Sequence, residues 1–388
     1  ATTDLISSMY VRYIDLNASK AVDDYTVEIV LTEPNVSQWY QLADVRMFCK
    51  ASMDASPDGM KNTPVGTGPY KVTKYISGSS ISMEARDDYW GEKPAIKYVN
   101  WMFIAESSQR ALALESGNID LIRQTATNDF LRFQKDSKYG TFVRNTFKTD
   151  AVYFNCSENS ICKDARVRKA IAYAIDANAI NKVVYSGLLS TCVFTASSSC
   201  SGADVNWNSD YFGYNLDKAK QLIQEAGIPQ GTEIKLGFNT GLAGHSNICE
   251  IIQSQLAEIG LKVTIVSYDA ATWDSVRTDP TIFDMHINYT SSPEGYYGNS
   301  LASAIVLSNS VFYKNEKFDE LLKISLGTTD PEKQLSTNKA LNDIMMEDCP
   351  VYALINTAWL YSYTSSLKGV EAMGAKWQRI SPAMLSFA

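Results

Sequence analysis

Acid–base or metal chemistry would most often call on histidine, and this chain offers only His245 and His286. A His-rich metal centre or a His-centred proton relay is therefore confined to those two residues. His245 and Cys249 stand four apart in a helical stretch, so they can share a face, as a nucleophile and its base would need. No third orienting group can be picked out. One surface histidine and one packed cysteine at a helix start is the simpler account. The seven cysteines are Cys49, Cys156, Cys162, Cys192, Cys200, Cys249 and Cys349. None forms a CxxC, which argues against a zinc ribbon or a thioredoxin-type pair. Cys156 and Cys162 bracket SENSI, and Cys192 and Cys200 bracket VFTASSS. Either pair could close a small disulfide loop in an oxidising compartment, or stay reduced. Gly66-Thr67-Gly68 lacks the third glycine of a dinucleotide fingerprint and the Lys of a P-loop, and Pro69 makes it a tight turn. Glu106, Glu115, Asp120, Asp269 and Asp274 have no spacing that pairs them across a cleft. The expectation is no catalytic residue, no metal and no cofactor.

What remains is aromatic and polar. The chain holds 22 Tyr, 7 Trp and 14 Phe, and Trp207, Trp273, Tyr289, Tyr296 and Tyr297 fall in loop-like stretches. Aromatic faces interleaved with Asn, Ser and Thr suit a small organic ligand in a cleft. Core or rim packing would also explain any single one.

The elements that must position these residues alternate. Tyr25–Leu31 reads as a strand ended by Pro34. Tyr70–Ile76 and Ser80–Ala85 form a hairpin about Ser77-Gly78-Ser79, and Lys97–Phe103 is a further strand. A helix over Ser107–Glu115 precedes a strand at Ile119–Ile122. Asp164 and Asp176 are N-caps of two successive helices, the second running to Val184, and Leu216–Ala226 is another. Strand, helix and strand follow within Glu233–Val266, a β-α-β crossover that demands parallel strands. Ile282–Tyr289 is a strand, Asp330-Pro331 opens a long helix, and Val351–Asn356 closes the series. With 388 residues, 45% hydrophobic and 20% charged, the chain can bury cores for two or three domains. Lys+Arg 35 against Asp+Glu 43 argues against a nucleic-acid surface. No apolar run approaches the ~20 residues that span a bilayer. The class is α/β, without an evident linker, so lobes interleaved in sequence are expected rather than beads on a string.

Five segments in order resemble the family 5 extracytoplasmic solute-binding proteins, the peptide and nickel receptors of ABC importers. They are Thr63–Tyr70 (TPVGTGPY), Arg86–Pro94 (RDDYWGEKP), Ala113–Leu121 (ALESGNIDL), Asp164–Asp176 (DARVRKAIAYAID) and Asn215–Gly227 (NLDKAKQLIQEAG). The resemblance implies a periplasmic-binding-protein type II-like fold, two α/β lobes around a hinge with an extra subdomain. Ala1–Ser8 is similar to a segment that lies well inside relatives, so the leading part of lobe I, a signal peptide and any lipid-anchoring cysteine are expected to be missing from these residues. Carried over, residues 1–64 would be the remnant of the inserted subdomain, 65–155 lobe I, 156–362 lobe II, and 363–388 a return to lobe I, with crossings near Asn155 and Ser362.

The resemblance implies an extracytoplasmic, monomeric subunit, lipid-anchored in its precursor. Its ligand, a peptide or other small solute, would be held between lobes and delivered to an ABC permease. Relatives often pair a peptide's amino group with an acidic residue after the strand at Phe283–Tyr289. Ser292 occupies that position here, and Glu294 is the carboxylate that could replace it. Tyr289 fits the family pattern. Tyr153, Asn155, Asn239, Thr240, Trp273, Ser291 and Tyr296 complete the expected ligand-binding set by position. A non-peptide ligand such as an oligosaccharide is the alternative, favoured by the lost charge pairing. Nickel ranks third, and a hydrolase or a pure interaction module follows.

Overall fold

The computed structural model describes residues 13–42, 45–47, 49–56, 63–207, 211–292, 295–372 and 381–388. Glu294 and Ala1–Ser8, singled out above, lie outside these residues. Two compact units emerge. The first comprises Ala1–Leu42 and Asn145–Thr357, the second Ala43–Arg144 and Ala358–Ala388. Residues 13–42 thus group with the first unit. The chain passes between units inside two long strands, and the crossings expected near Asn155 and Ser362 fall close to those strands' C-terminal ends.

In the first unit the chain begins with a ribbon of β1 (Lys20–Ala21) and β2 (Val27–Glu28), paired antiparallel. The strand expected over Tyr25–Leu31 shrinks to two residues. Tyr25 and Val27 are 99% and 67% exposed, so the apolar alternation finds no face to bury. The helix α1 (Ser37–Leu42) follows.

The second unit contains α2 (Lys50–Ala55), then a three-stranded antiparallel sheet of β3 (Tyr70–Ile76), β4 (Ser80–Ala85) and β5 (Tyr98–Met102). The expected hairpin is present, with Gly78 taking the left-handed turn position at φ 68°. The helix α3 (Ser107–Glu115) keeps its expected bounds and buries Ala111 and Leu114. After it come β6 (Leu121–Arg123) and α4 (Thr127–Phe133).

The strand β7 (Tyr139–Phe154) begins in the second unit and ends in the first. It went unread because Arg144, Asn145, Lys148, Thr149 and Asp150 interrupt its apolar pattern. Asp164 caps α5 (Ala165–Ala174) by accepting from the Arg166 amide. Asp176 caps α6 (Ala177–Tyr185) through the Ala179 amide. Beyond β8 (Ser190–Thr191) and α7 (Leu216–Glu225) lies the crossover: β9 (Thr232–Asn239), α8 (His245–Ala257) and β10 (Leu261–Tyr268). The register is parallel, Ile234 opposite Val263 and Leu236 opposite Ile265. Then come α9 (Ala270–Val276), β11 (Met285–Ser291), α10 (Tyr297–Leu301), a π-helical turn over Ala302–Leu307, and α11 (Glu316–Gly327). The helix α12 (Pro331–Asp348) has Asp330 as N-cap and proline in its first turn.

The last long strand, β12 (Val351–Thr364), runs from the first unit into the second, where the short strands β13 (Leu367–Lys368) and β14 (Ser386–Phe387) pair. The first unit's sheet has the order β10-β9-β11-β7-β12. Its core joins Leu236, Ile248, Ile252, Met285, Ile287 and Val351, all fully buried, with the Val167, Ala170 and Ile171 stripe of α5. Each Leu, Ile, Val or Met side chain among them contributes about 1.5–3 kcal/mol. In the second unit β6 pairs antiparallel with the far end of β12, Ile122 opposite Ser362.

Candidate solute-binding pocket

The strand β9 has β10 on one side and β11 on the other, and both neighbours are parallel to it. The connection through α8 leads one way and the connection through α9 the other. Where parallel strands part in this way, a crevice opens beyond their C-terminal ends. A cavity of about 330 Å³ lies there, entirely within the first unit. The end of β9 supplies Asn239 and the end of β11 supplies Asn288 and Tyr289. From β7 comes Tyr153, and from the π-helical turn Ser303 and Leu307, with Ser308 just beyond it. The helix α9 starts directly after β10, capped by Asp269 on the Ala271 and Thr272 amides. It presents Trp273 and, one turn later, Arg277.

The inner wall is a stack of rings. Tyr153 lies on His286 with centroids 5.1 Å apart and planes at 23°. Trp273 meets His286 edge-on at 5.5 Å and leans on Phe283 at 5.8 Å. The Tyr153 hydroxyl donates to the Tyr289 carbonyl at 3.0 Å, and burial pushes its phenol well above the ordinary range. Burial, reinforced by the Arg277 charge, pushes His286 down to about 3, so its ring is neutral. Trp273 Nε1 and His286 Nε2 are buried without a hydrogen-bond partner among the described residues.

Polar groups edge this wall. Arg277 donates from Nε to Asp274 at 2.8 Å and from Nη1 to the Ser308 carbonyl at 2.6 Å. Asn239 Oδ1 accepts from the Gly241 amide at 2.8 Å, and Asn288 Oδ1 from the Tyr289 amide at 2.9 Å. The Lys148 ammonium sits 4.3 Å from the Tyr289 ring centroid, and burial lowers its pKa, partly offset by Asp150.

Of the expected ligand-binding residues, the cavity gathers Tyr153, Asn239, Trp273 and Tyr289. The other described members of the set lie outside its lining. Asn155 spends its amide on the Pro280 and Phe283 carbonyls, at 2.7 and 2.8 Å. Thr240 bonds the Tyr268 carbonyl through its amide at 2.9 Å and its hydroxyl at 3.3 Å. Ser291 pairs with Lys148 at the end of β11. Ser292 is wholly buried, its hydroxyl accepting from the Tyr296 amide at 3.0 Å. Tyr296 is buried too, its phenol 2.9 Å from Ser325 Oγ. Sequence reasoning missed Arg277, Asn288 and the π-helical wall. Arg277 carried one readable signal, its place four residues after Trp273 behind a capping aspartate. The π-helical turn carried none.

The remaining candidates for chemistry resolve differently. His245 lies 3.4 Å from Asp150 Oδ1, and Asp150 also accepts from the Tyr185 hydroxyl at 2.6 Å. Cys249 is fully buried, and burial pushes its thiol far above neutral. That leaves it a packed side chain, as the simpler account had it, but His245 is 3% exposed and so is not the surface histidine of that account. All seven cysteines are free thiols; the two loops left open by their spacing are not bridged. Burial pushes Cys156 up to about 11 and Cys349 up to about 12. Among the described residues no three His, Cys, Asp or Glu side chains gather as a metal site. No described helix is long and apolar enough to cross a membrane.

Comparison with known proteins agrees with this architecture. The chain is 25% identical to the dipeptide-binding protein of Escherichia coli over 92% of its length and 69% of that protein's. It is 24% identical to heme-binding protein A of Haemophilus influenzae, covering 91% of this chain and 67% of that one. A putative ABC transporter peptide-binding protein of Brucella ovis is 28% identical over 68% of this chain, which spans only 51% of that relative. Among solved structures, a putative peptide-binding protein from Clostridium difficile superposes with a TM-score of 0.88 at 21% identity, over 98% of this chain and 81% of that one. The fold is therefore that of the two-lobed α/β binding proteins. The model for bacterial extracellular solute-binding proteins, family 5, matches residues 4–304, and the chain belongs to that family.

Proposed function

We propose that this chain is the ligand-binding subunit of an ABC importer, acting outside the cytoplasmic membrane as a monomer, without turning its ligand over. We propose further that its ligand is a short peptide. The observation that carries this reading is the cavity at the C-terminal ends of β9 and β11, walled by Tyr153, Trp273 and Tyr289 and edged by two asparagines. At about 330 Å³ it sits at the small end of the ~300–1,000 Å³ range of ligand pockets. Such a space suits one side chain or a short segment rather than a whole oligopeptide. The relatives named for dipeptide and peptide binding support the peptide; the one named for heme shows that the family's architecture accepts other solutes.

A second reading, a non-peptide solute such as an oligosaccharide, is favoured by a specific feature. Ser292 is buried and already bonded. Among the described residues Asp274 is the only carboxylate in the cavity wall, and it is paired with Arg277. No described carboxylate is thus left open for a peptide's amino group. Denaturing the purified protein and identifying released small molecules by mass spectrometry separates the two. A ladder of short peptides is expected; one recurrent non-peptide species would replace the peptide reading with the second.

A further inference from the structure

We propose that the pocket selects solutes carrying an acidic group, with Arg277 the residue that meets that group and Asp274 its internal competitor. This rests on the reading of the chain as a solute-binding subunit.

The first argument is electrostatic. The Arg277 side chain is 19% exposed, whereas its partner Asp274 is 79% exposed. The cation is held in a wall of rings while its counter-ion stands in water. An exposed carboxylate is well solvated and screened, so it compensates a largely buried guanidinium poorly. The other cation nearby, Lys148 over the Tyr289 ring, has its own carboxylate neighbour, Asp150, already engaged by Tyr185 and His245. His286 adds no charge, its ring being held neutral. Arg277 is thus a largely buried cation whose counter-ion in the wall is exposed.

The second argument is the sense of the unused hydrogen-bonding capacity. Asn239 and Asn288 each have Oδ1 fixed by a backbone amide, which turns both Nδ2 groups into donors without an acceptor among the described residues. Arg277 uses Nε and Nη1, and its Nη2 has no described acceptor. Trp273 Nε1, deeper in the wall, is a donor as well. Apart from the Asp274 carboxylate, already paired with Arg277, the side-chain groups whose sense is fixed are N–H groups, and a planar anion with two acceptor oxygens answers a guanidinium edge. A carboxylate is the group this lining is missing.

Titration calorimetry with the C-terminally amidated tripeptides Ala-Glu-Ala, Ala-Gln-Ala and Ala-Lys-Ala, in which only the Glu peptide carries a carboxylate, at low and high salt, tests this. The wild-type protein is expected to bind the Glu peptide at least tenfold more tightly than the Gln peptide, with the margin shrinking in salt. Arg277→Gln should erase the margin. Because Arg277 also holds the Ser308 carbonyl, the decisive variant is Asp274→Asn, whose exposed side chain is not needed for packing. It frees the guanidinium and should widen the margin of the Glu peptide over the Gln peptide several-fold. Preference for the Lys peptide, or weaker Glu binding in Asp274→Asn, overturns the proposal. If no tripeptide binds, the peptide reading fails and galacturonate against galactose becomes the probe. Preference for the acid there upholds Arg277, and no preference or no binding overturns it.

Discussion

A neutral histidine sealed among aromatic rings carries a pH signature that exposed groups do not. His286 is 2% exposed and its folded-state pKa is pushed down to about 3 from an ordinary 6.5. Between those values the unfolded chain binds a proton that the folded chain refuses, so stability rises with pH across that window. Read downwards, the loss begins near pH 6.5 and is complete near pH 3. His286→Phe, which keeps a ring between Tyr153 and Trp273, is expected to flatten that acid limb. Urea melts at intervals from pH 7 to 4 measure it, and parallel limbs for the two proteins would refute it. At this scale the sequence was half legible. Tyr153, Asn239, Trp273 and Tyr289 were named by position in the family resemblance, and the fold brings these four to one cavity. Ser292 and Tyr296 look the same in the sequence, yet they turn inward and satisfy each other. The weight of Arg277 comes from the difference in exposure between it and Asp274, a quantity that exists only after folding.

Caps and crossovers were the most readable elements, because their causes are local. Asp164, Asp176 and Asp330 each accept backbone amides at a helix start, as their spacing announced. The long strand β7 was hidden because Arg144, Asn145, Lys148, Thr149 and Asp150 interrupt its apolar pattern, and β12 was cut short at Asn356-Thr357, where a polar pair breaks the apolar run. One residue inside the DARVRKAIAYAID segment gained a structural meaning that its spacing did not give. Arg168 is 4% exposed and donates to the carbonyls of Cys162, Lys163, Asp348 and Cys349. It therefore closes the C-terminal end of α12, whose last carbonyls have no partner within the helix. A lysine offers a point charge rather than a fork and cannot reach carbonyls on both sides at once. Arg168→Lys is expected to cost about 2 kcal/mol or more, since buried carbonyls would lose charged donors. Chemical denaturation reads this directly, and a cost below about 0.5 kcal/mol would show that the bonds are dispensable.

For the whole molecule, family membership was legible from five short motifs in order, and the division of the chain into compact units is read from the fold. Contact between distant segments decides that division, and spacing along the chain does not encode it. The two units differ in how much they bury. The first has one large continuous core, while the second relies on two small clusters around Tyr361 and Leu114 and on a sheet in which β4 has no fully buried residue. Local opening costs least where apolar contacts are few. Native-state hydrogen exchange should therefore find the amides of β3, β4 and β5 less protected than those of β9, β10 and β11. Equal protection would mean that the molecule opens as one body.

The second unit also pairs a strand near the first third of the chain with one near its end, Ile122 beside Ser362. During synthesis, residues 43–144 leave the ribosome long before residues 358–388 exist to complete that pairing. The first unit, needing nothing beyond Thr357, can finish earlier although most of it is made later. Birth order and folding order are thus reversed, and the nascent chain carries an unfinished unit until residues 358–388 emerge.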